Sequence, residues 1–121
     1  MEFAAERYGT RLVVVLGHSQ CGAILATLEQ LKSATTHSRN LQSIVDRVRP
    51  SVEAVLSGAE DEDPEVLIQR AVRANIRASA NHLRHGSQVL EDLIMANGLL
   101  VVGGEYSLET GVVDFFDGAP Q

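Results

Sequence analysis

The sequence predicts an α/β fold in which a mostly parallel sheet is flanked by helices. Two short runs of Val, Leu and Gly, residues 11–17 and 99–104, have the continuous apolar character of strands that are buried on both faces, as in parallel sheets. Between these runs, apolar residues recur at helical spacing. A last apolar run, residues 112–116, follows a turn-rich segment and predicts a final, antiparallel strand.

Length and composition predict one domain over residues 1–121. The chain is 45% hydrophobic and only 4% aromatic, which is typical of a core of aliphatic side chains. A net charge of −6 without a Lys/Arg cluster argues against nucleic acid as a partner. The longest apolar stretches, Leu12–Leu16 and Leu99–Val102, are far shorter than the roughly 20 residues that span a bilayer. With no apparent leader, we predict a cytoplasmic protein without a membrane partner.

The first quarter of the chain predicts a helix, a strand and a second helix. Residues 2–8 form a short helix that Gly9 closes, and the strand at 11–17 follows. In residues 23–32 the apolar residues recur at helical spacing, which places their side chains on one side of a helix. Residues 18–22 are therefore a turn from strand to helix.

The middle of the chain predicts further helices. Residues 38–56 have helical period but contain Pro50, which should kink the helix or split it in two. The acidic segment 58–63 predicts a solvated loop, and a helix over 64–85 starts with proline in its first turn. Ser87 can cap one more short helix before the strand at 99–104.

The strand at 11–17 lacks a predicted neighbour on one side. It is the most hydrophobic of the three strands and comes first, so no earlier strand is available to pair with it. An open edge of this kind leaves backbone groups unpaired and favours association. We therefore expect either that another chain covers this strand or that an amino-terminal portion is missing.

Residues 18–22 hold the best candidate for chemistry. In open parallel sheets, ligands bind beyond the carboxyl ends of the strands, beside the amino end of the next helix. A thiolate of Cys21, the only cysteine, would be stabilised there, and His18 can direct its imidazole to the same point. Both side chains are good zinc ligands, so the pattern predicts half of a zinc site.

Residues 18–22 allow other interpretations. Gly17 and Gly22 have the spacing of a phosphate-binding loop, but Ala23 and the residue after it replace the required Lys and Ser/Thr, which excludes that interpretation. Cys21 could instead be a buried apolar residue with His18 as an ordinary turn residue. A thiol nucleophile assisted by His18 also stays open, although no nearby residue would orient the imidazole.

The segment Gly17–Ala23 after a valine-rich strand closely resembles the second zinc motif of the β-class carbonic anhydrases. The helix at Met1–Ala5, the helix around Ala71–Asn75 and the hairpin at Leu100–Val113 also resemble that family, in its order. The resemblance implies a partial β-carbonic anhydrase fold. It also implies zinc-dependent reversible hydration of carbon dioxide to bicarbonate.

The resemblance assigns roles to particular residues. His18 and Cys21 correspond to zinc ligands, and the N–H of Gly22 is placed to meet a bicarbonate oxygen. Phe3 falls where the family has an aromatic residue in the apolar carbon dioxide pocket of a neighbouring subunit, although ordinary packing is at least as good an explanation. Three histidines match no family ligand and are predicted to lie at the surface or at helix ends: His37, His82 and His85.

The chain also departs from the family. A Cys-x-Asp-x-Arg motif, which supplies a further thiolate and an Asp–Arg pair, should precede this segment and has no counterpart here. We therefore expect an amino-terminally truncated domain that forms a dimer or larger homo-oligomer and, alone, has little or no activity. Two alternatives stay open: a non-catalytic binding or assembly protein with this scaffold, and a carbon disulfide or carbonyl sulfide hydrolase.

Overall fold

The computed structural model describes residues 1–33, 39–57 and 62–120. The elements follow the predicted order: α1 Glu2–Arg7, β1 Leu12–His18, α2 Gly22–Ser33, α3 Arg39–Leu56, α4 Pro64–His85, α5 Gln88–Ala96, β2 Leu100–Tyr106 and β3 Val113–Asp117. Each strand begins one residue later than predicted and ends one or two residues later. His37 and most of the predicted acidic loop, residues 58–61, lie outside the described residues.

The three strands form one mixed sheet in the order β1-β2-β3. β1 is parallel to β2, in a register that runs from Leu12 opposite Leu100 to His18 opposite Tyr106. β3 is antiparallel to β2, as the predicted hairpin requires. In the part of the chain that the structure describes, no strand pairs with the other edge of β1, which confirms the predicted open edge.

Helix α4 crosses the sheet and positions β1 against the core. Ile76 of α4 lies so close to two glycines that a Cβ at Gly17 would be 2.6 Å from its Cδ1, and one at Gly103 would be 2.9 Å from its Cγ2. The lack of side chains at these glycines therefore lets α4 approach both parallel strands. One core cluster joins α2, α3 and α4: Ile24, Leu28, Val48, Val52, Ala71, Val72 and Ile76.

Pro50 does not split the helix in which it lies. We predicted a kink or a division there, but one helix, Arg39–Leu56, runs through this residue, so the division is wrong. Val48 and Val52, on either side of the proline, are buried in the same core cluster. Packing of both halves against α2 and α4 offsets the lost backbone hydrogen bond.

Side chains cap the amino ends of α4 and α5. Asp63 caps α4 by accepting a hydrogen bond from the N–H of Glu65 at 2.9 Å. Ser87 caps α5 by accepting one from the N–H of Leu90 at 3.3 Å, as predicted. His82 and His85 are exposed in the last turn of α4, which confirms their predicted place.

One face of β1 is covered by helices and the other is open. Val13 is buried on the covered face, whereas Leu12, Val14 and Leu16 are 58%, 44% and 57% exposed on the other. We call these three side chains the open face of β1. No helix within the described ranges is both long enough and apolar enough to cross a membrane.

Candidate metal centre

The candidate metal turn, residues 18–22, connects β1 to α2 at the carboxyl end of the parallel strands. His18 is the last residue of β1 and lies opposite Tyr106 of β2. Gln20 has a φ of +54°, in the left-handed region, and so reverses the chain before α2 begins at Gly22. The turn therefore has the predicted position.

Ser19 attaches this turn to the second and third strands. Its N–H donates a hydrogen bond of 2.9 Å to the carbonyl of Tyr106, which continues the β1-β2 ladder by one residue. Its Oγ accepts a hydrogen bond of 2.9 Å from the N–H of Leu108, in the connection between β2 and β3. Farther along, Gln20 donates a longer bond of 3.4 Å to the carboxylate of Glu65.

The hydrogen bond of His18 decides which ring nitrogen is free. Its Nδ1 lies 2.8 Å from the carbonyl oxygen of Ser19. A carbonyl oxygen can only accept, so Nδ1 carries a proton, and in the neutral ring Nε2 therefore keeps its lone pair. Metal-binding histidines typically donate their second N–H in this way, which fixes the ring and its tautomer.

Cys21 lies immediately before α2 and is partly buried against the core cluster of α2, α3 and α4. It precedes the amino end of the 12-residue helix α2, where the backbone N–H groups carry a partial positive charge. Gly22, the first residue of α2, is exposed, and nothing lies within 4 Å of the position that a Cβ would take there. Its N–H, in the first turn of the helix, has no acceptor within the helix.

The turn fits zinc only in part. An imidazole with a free Nε2 and a thiolate are two of the four ligands that a tetrahedral site needs. Among the described residues, no group of three or more His, Cys, Asp or Glu side chains could hold a metal ion. Within the described ranges, the turn therefore has no third ligand of these types.

Phe3 lies far from this turn. Helix α1 packs near the amino end of β1, where Ala5 shares a core cluster with Val13. His18 is at the other end of the strand, about 20 Å away at the usual strand rise of about 3.3 Å per residue. Phe3 is 67% exposed and contacts Tyr8 edge to face, with 5.8 Å between ring centroids. It cannot line a pocket at His18 of its own chain.

A charged network on the helix-covered side was not predicted. Arg73 of α4 donates hydrogen bonds of 2.8 Å to Glu105, which is almost fully buried, and to Asp114. Burial alone would lower the pKa of Arg73, but the hydrogen bonds to Asp114 and Glu105 and their charges outweigh it, so this pKa is raised. The guanidinium also lies 4.6 Å from the ring centroid of Phe116. These partners are too distant in sequence to give a local signal.

This network borders a cleft of about 440 Å³ beside the metal turn. Its walls include Ser19 and Gln20 of the turn, the Arg73–Glu105 pair of the network and Thr110 of the hairpin connection. Neither of the two candidate ligands lines it. The cleft therefore does not include the candidate ligands.

Comparison with known proteins decides the family. A family model described as carbonic anhydrase matches residues 1–113. The chain belongs to the β-carbonic anhydrase family. Carbonic anhydrase 2 of Mycobacterium tuberculosis is 30% identical over 111 residues, which are 92% of this chain and 51% of that relative.

Solved structures agree on the fold. A β-carbonic anhydrase of the fungal pathogen Aspergillus fumigatus superposes with a TM-score of 0.83 at 22% identity, covering 99% of this chain and 55% of that one. A tetrameric β-carbonic anhydrase of Sordaria macrospora gives a TM-score of 0.75 at 19% identity, over 95% of this chain and 56% of that one. The chain thus spans about half the length of the relatives that it matches. β-Carbonic anhydrases are generally zinc enzymes.

Proposed function

We propose that His18 and Cys21 are zinc ligands and that the complete protein catalyses the reversible hydration of carbon dioxide to bicarbonate. The observation that carries the proposal is the hydrogen bond from His18 to the carbonyl of Ser19, because in the neutral ring it leaves Nε2 without a proton, as a zinc ligand requires. Membership of the β-carbonic anhydrase family supports the reaction.

The residues of the turn would have distinct roles. Zinc, when bound, supplies a hydroxide nucleophile at neutral pH. His18 and Cys21 would hold the metal, and the thiolate would partly neutralise its charge. The N–H of Gly22, at the exposed start of α2, would donate to an oxygen of bicarbonate.

The proposal includes an assembly of several subunits. Phe3 lies too far from His18 of its own chain, so it can contribute an apolar wall to the carbon dioxide pocket only from a neighbouring subunit. The open face of β1 offers apolar surface for association, and the matched Sordaria macrospora protein is tetrameric. We expect a dimer or larger homo-oligomer; the cytoplasmic location stays a prediction.

The isolated chain should be a poor catalyst. Among the described residues no third ligand accompanies His18 and Cys21, so zinc should bind weakly, and the sequence has no Cys-x-Asp-x-Arg motif to supply a further thiolate and an Asp–Arg pair. We expect little or no hydration of carbon dioxide by the purified 121-residue chain. Stopped-flow measurement of an enzyme-like rate would contradict this part of the proposal.

Cobalt titration tests the ligands without relying on activity. Adding Co²⁺ to the metal-free chain should produce a cobalt–thiolate absorption band, which Cys21→Ala abolishes and His18→Ala weakens about tenfold or more. His82→Ala is the matched control, because it removes an exposed histidine outside the turn. No band in the unmodified chain at millimolar cobalt, or equal bands in all four proteins, would contradict the assignment.

A non-catalytic assembly protein is the second candidate, and the exposed apolar side chains of β1 favour it. Such a protein would keep its oligomeric state in His18→Ala and Cys21→Ala, and neither substitution would affect its biological role. Loss of that role in both variants would favour the zinc enzyme.

A further inference from the structure

We propose that Ser19 is a positioning residue for His18: its hydroxyl ties the orientation and tautomer of the imidazole to the connection between β2 and β3. The inference rests on the proposed role of His18 as a metal ligand. It concerns a side chain that does not itself touch the metal.

Three groups of Ser19 are engaged at once. The N–H bonds to Tyr106 and the Oγ accepts from Leu108, so the residue is held on its backbone and on its side chain. The third group, the carbonyl oxygen, accepts a hydrogen bond of 2.8 Å from Nδ1 of His18. The direction of that carbonyl therefore depends on how firmly the other two groups hold the residue.

The partner of the hydroxyl is itself fixed. In the hairpin connection, the N–H of Ser107 donates to the carbonyl of Val112 at 2.9 Å, and the N–H of Gly111 donates to the carbonyl of Ser107 at 2.8 Å. The Oγ of Ser107 also accepts from the N–H of Thr110 at 3.3 Å. Leu108 thus presents its N–H from a tightly bonded turn, and Ser19 docks on a rigid donor.

Removal of the hydroxyl should affect the imidazole rather than the fold. Without Oγ, the N–H of Leu108 loses this acceptor, and Ser19 keeps only its ladder bond to Tyr106. The carbonyl of Ser19 can then rotate away from Nδ1, and the neutral ring can place its proton on Nε2 instead. In that tautomer Nε2 cannot bind a metal. Losses of about 10–100-fold in affinity are typical when the partner of a ligating histidine is removed.

Nitrogen NMR of the metal-free full chain tests the inference directly. With ¹⁵N-labelled histidine at a pH where the ring is neutral, His18 of the unmodified chain should show a protonated Nδ1 and an unprotonated Nε2. Ser19→Ala should shift both signals toward a mixture of tautomers and weaken Co²⁺ binding about tenfold. Ser19→Thr, which keeps a hydroxyl, should restore both.

Two further variants separate positioning from general stability. Ser87→Ala removes a hydroxyl that also accepts a backbone hydrogen bond, at the start of α5 and outside both the metal turn and the β2-β3 connection, so His18 should be unaffected. The valine of Ser19→Val has nearly the same shape as the threonine of Ser19→Thr but lacks the hydroxyl. Ser19→Val therefore takes the place of Ser19→Ala if the alanine variant does not fold. A protonated Nε2 in the unmodified chain, or identical His18 signals in the threonine and valine variants, would overturn the inference.

The readouts also distinguish this inference from the proposed function. If the unmodified chain binds no cobalt while its His18 signals still respond to Ser19→Ala and recover in Ser19→Thr, the metal assignment fails and the positioning role stands. If cobalt binds and the signals do not respond, the positioning role alone fails.

Discussion

The two faces of β1 carry similar side chains and have opposite surroundings. Val13 and Val15 point toward the helices, and Val13 is buried. Leu12, Val14 and Leu16 form the open face, with about half of each side chain exposed. Hydrophobicity alone therefore identifies β1 as a strand made for burial on both sides but does not say which side this chain covers.

The difference comes from the helices. Both described core clusters include residues of α4, which packs against the parallel strands where Gly17 and Gly103 admit Ile76. The open face has apolar residues but no such complementary surface. Close packing stabilises the covered face beyond simple removal from water, and the open face stays free for association.

The largest effect should come from the covered face. Ile76→Ala leaves a cavity between α4 and the two parallel strands, and we expect a loss of about 2–5 kcal/mol in the free energy of unfolding. Urea denaturation measures it. The matched control is Ile44→Ala, because Ile44 is 48% exposed on α3, and it should cost less than about 1 kcal/mol. Equal losses would mean that Ile76 is not central to the core.

An intermediate effect is expected where the helix meets β1. A Cβ at Gly17 would lie 2.6 Å from Cδ1 and 2.7 Å from Cγ1 of Ile76, so Gly17→Ala should destabilise the chain by about 1–3 kcal/mol. Adding Ile76→Val, which removes Cδ1, should recover part of that loss in a double-mutant cycle. Gly22→Ala, with nothing within 4 Å of its Cβ, is the stability control. Strict additivity of the two substitutions would argue against the close contact.

The smallest effect should come from the open face. Val14→Thr changes a side chain that is 44% exposed in the single chain, and we expect a change below about 0.5 kcal/mol at concentrations too low for association. Val101→Thr makes the same substitution at a buried position of β2 and should cost about 1–3 kcal/mol. Equal costs would show that another copy covers the open face in solution, and sedimentation velocity of the two variants would then reveal the oligomer.

Much of the architecture could be predicted because its signals are local. The apolar runs of the strands, the proline at the start of α4 and the cap at Ser87 each lie within a few residues of the feature that they specify. Pro50 misled the prediction because burial of Val48 and Val52 decides that helix, and burial is not a local property.

The sequence by itself determined the order of the elements, the strand-to-helix turn with His18 and Cys21, and the family. Only the tertiary structure decided which ring nitrogen of His18 can bind a metal, because that depends on the hydrogen bond to the carbonyl of Ser19. The hydroxyl of Ser19 is in turn held by the N–H of Leu108, 89 positions later in the chain. The tertiary structure also paired Arg73 with Glu105 across 32 positions and left Phe3 far from the turn. Contacts between distant residues depend on how the chain packs, and no short motif records them.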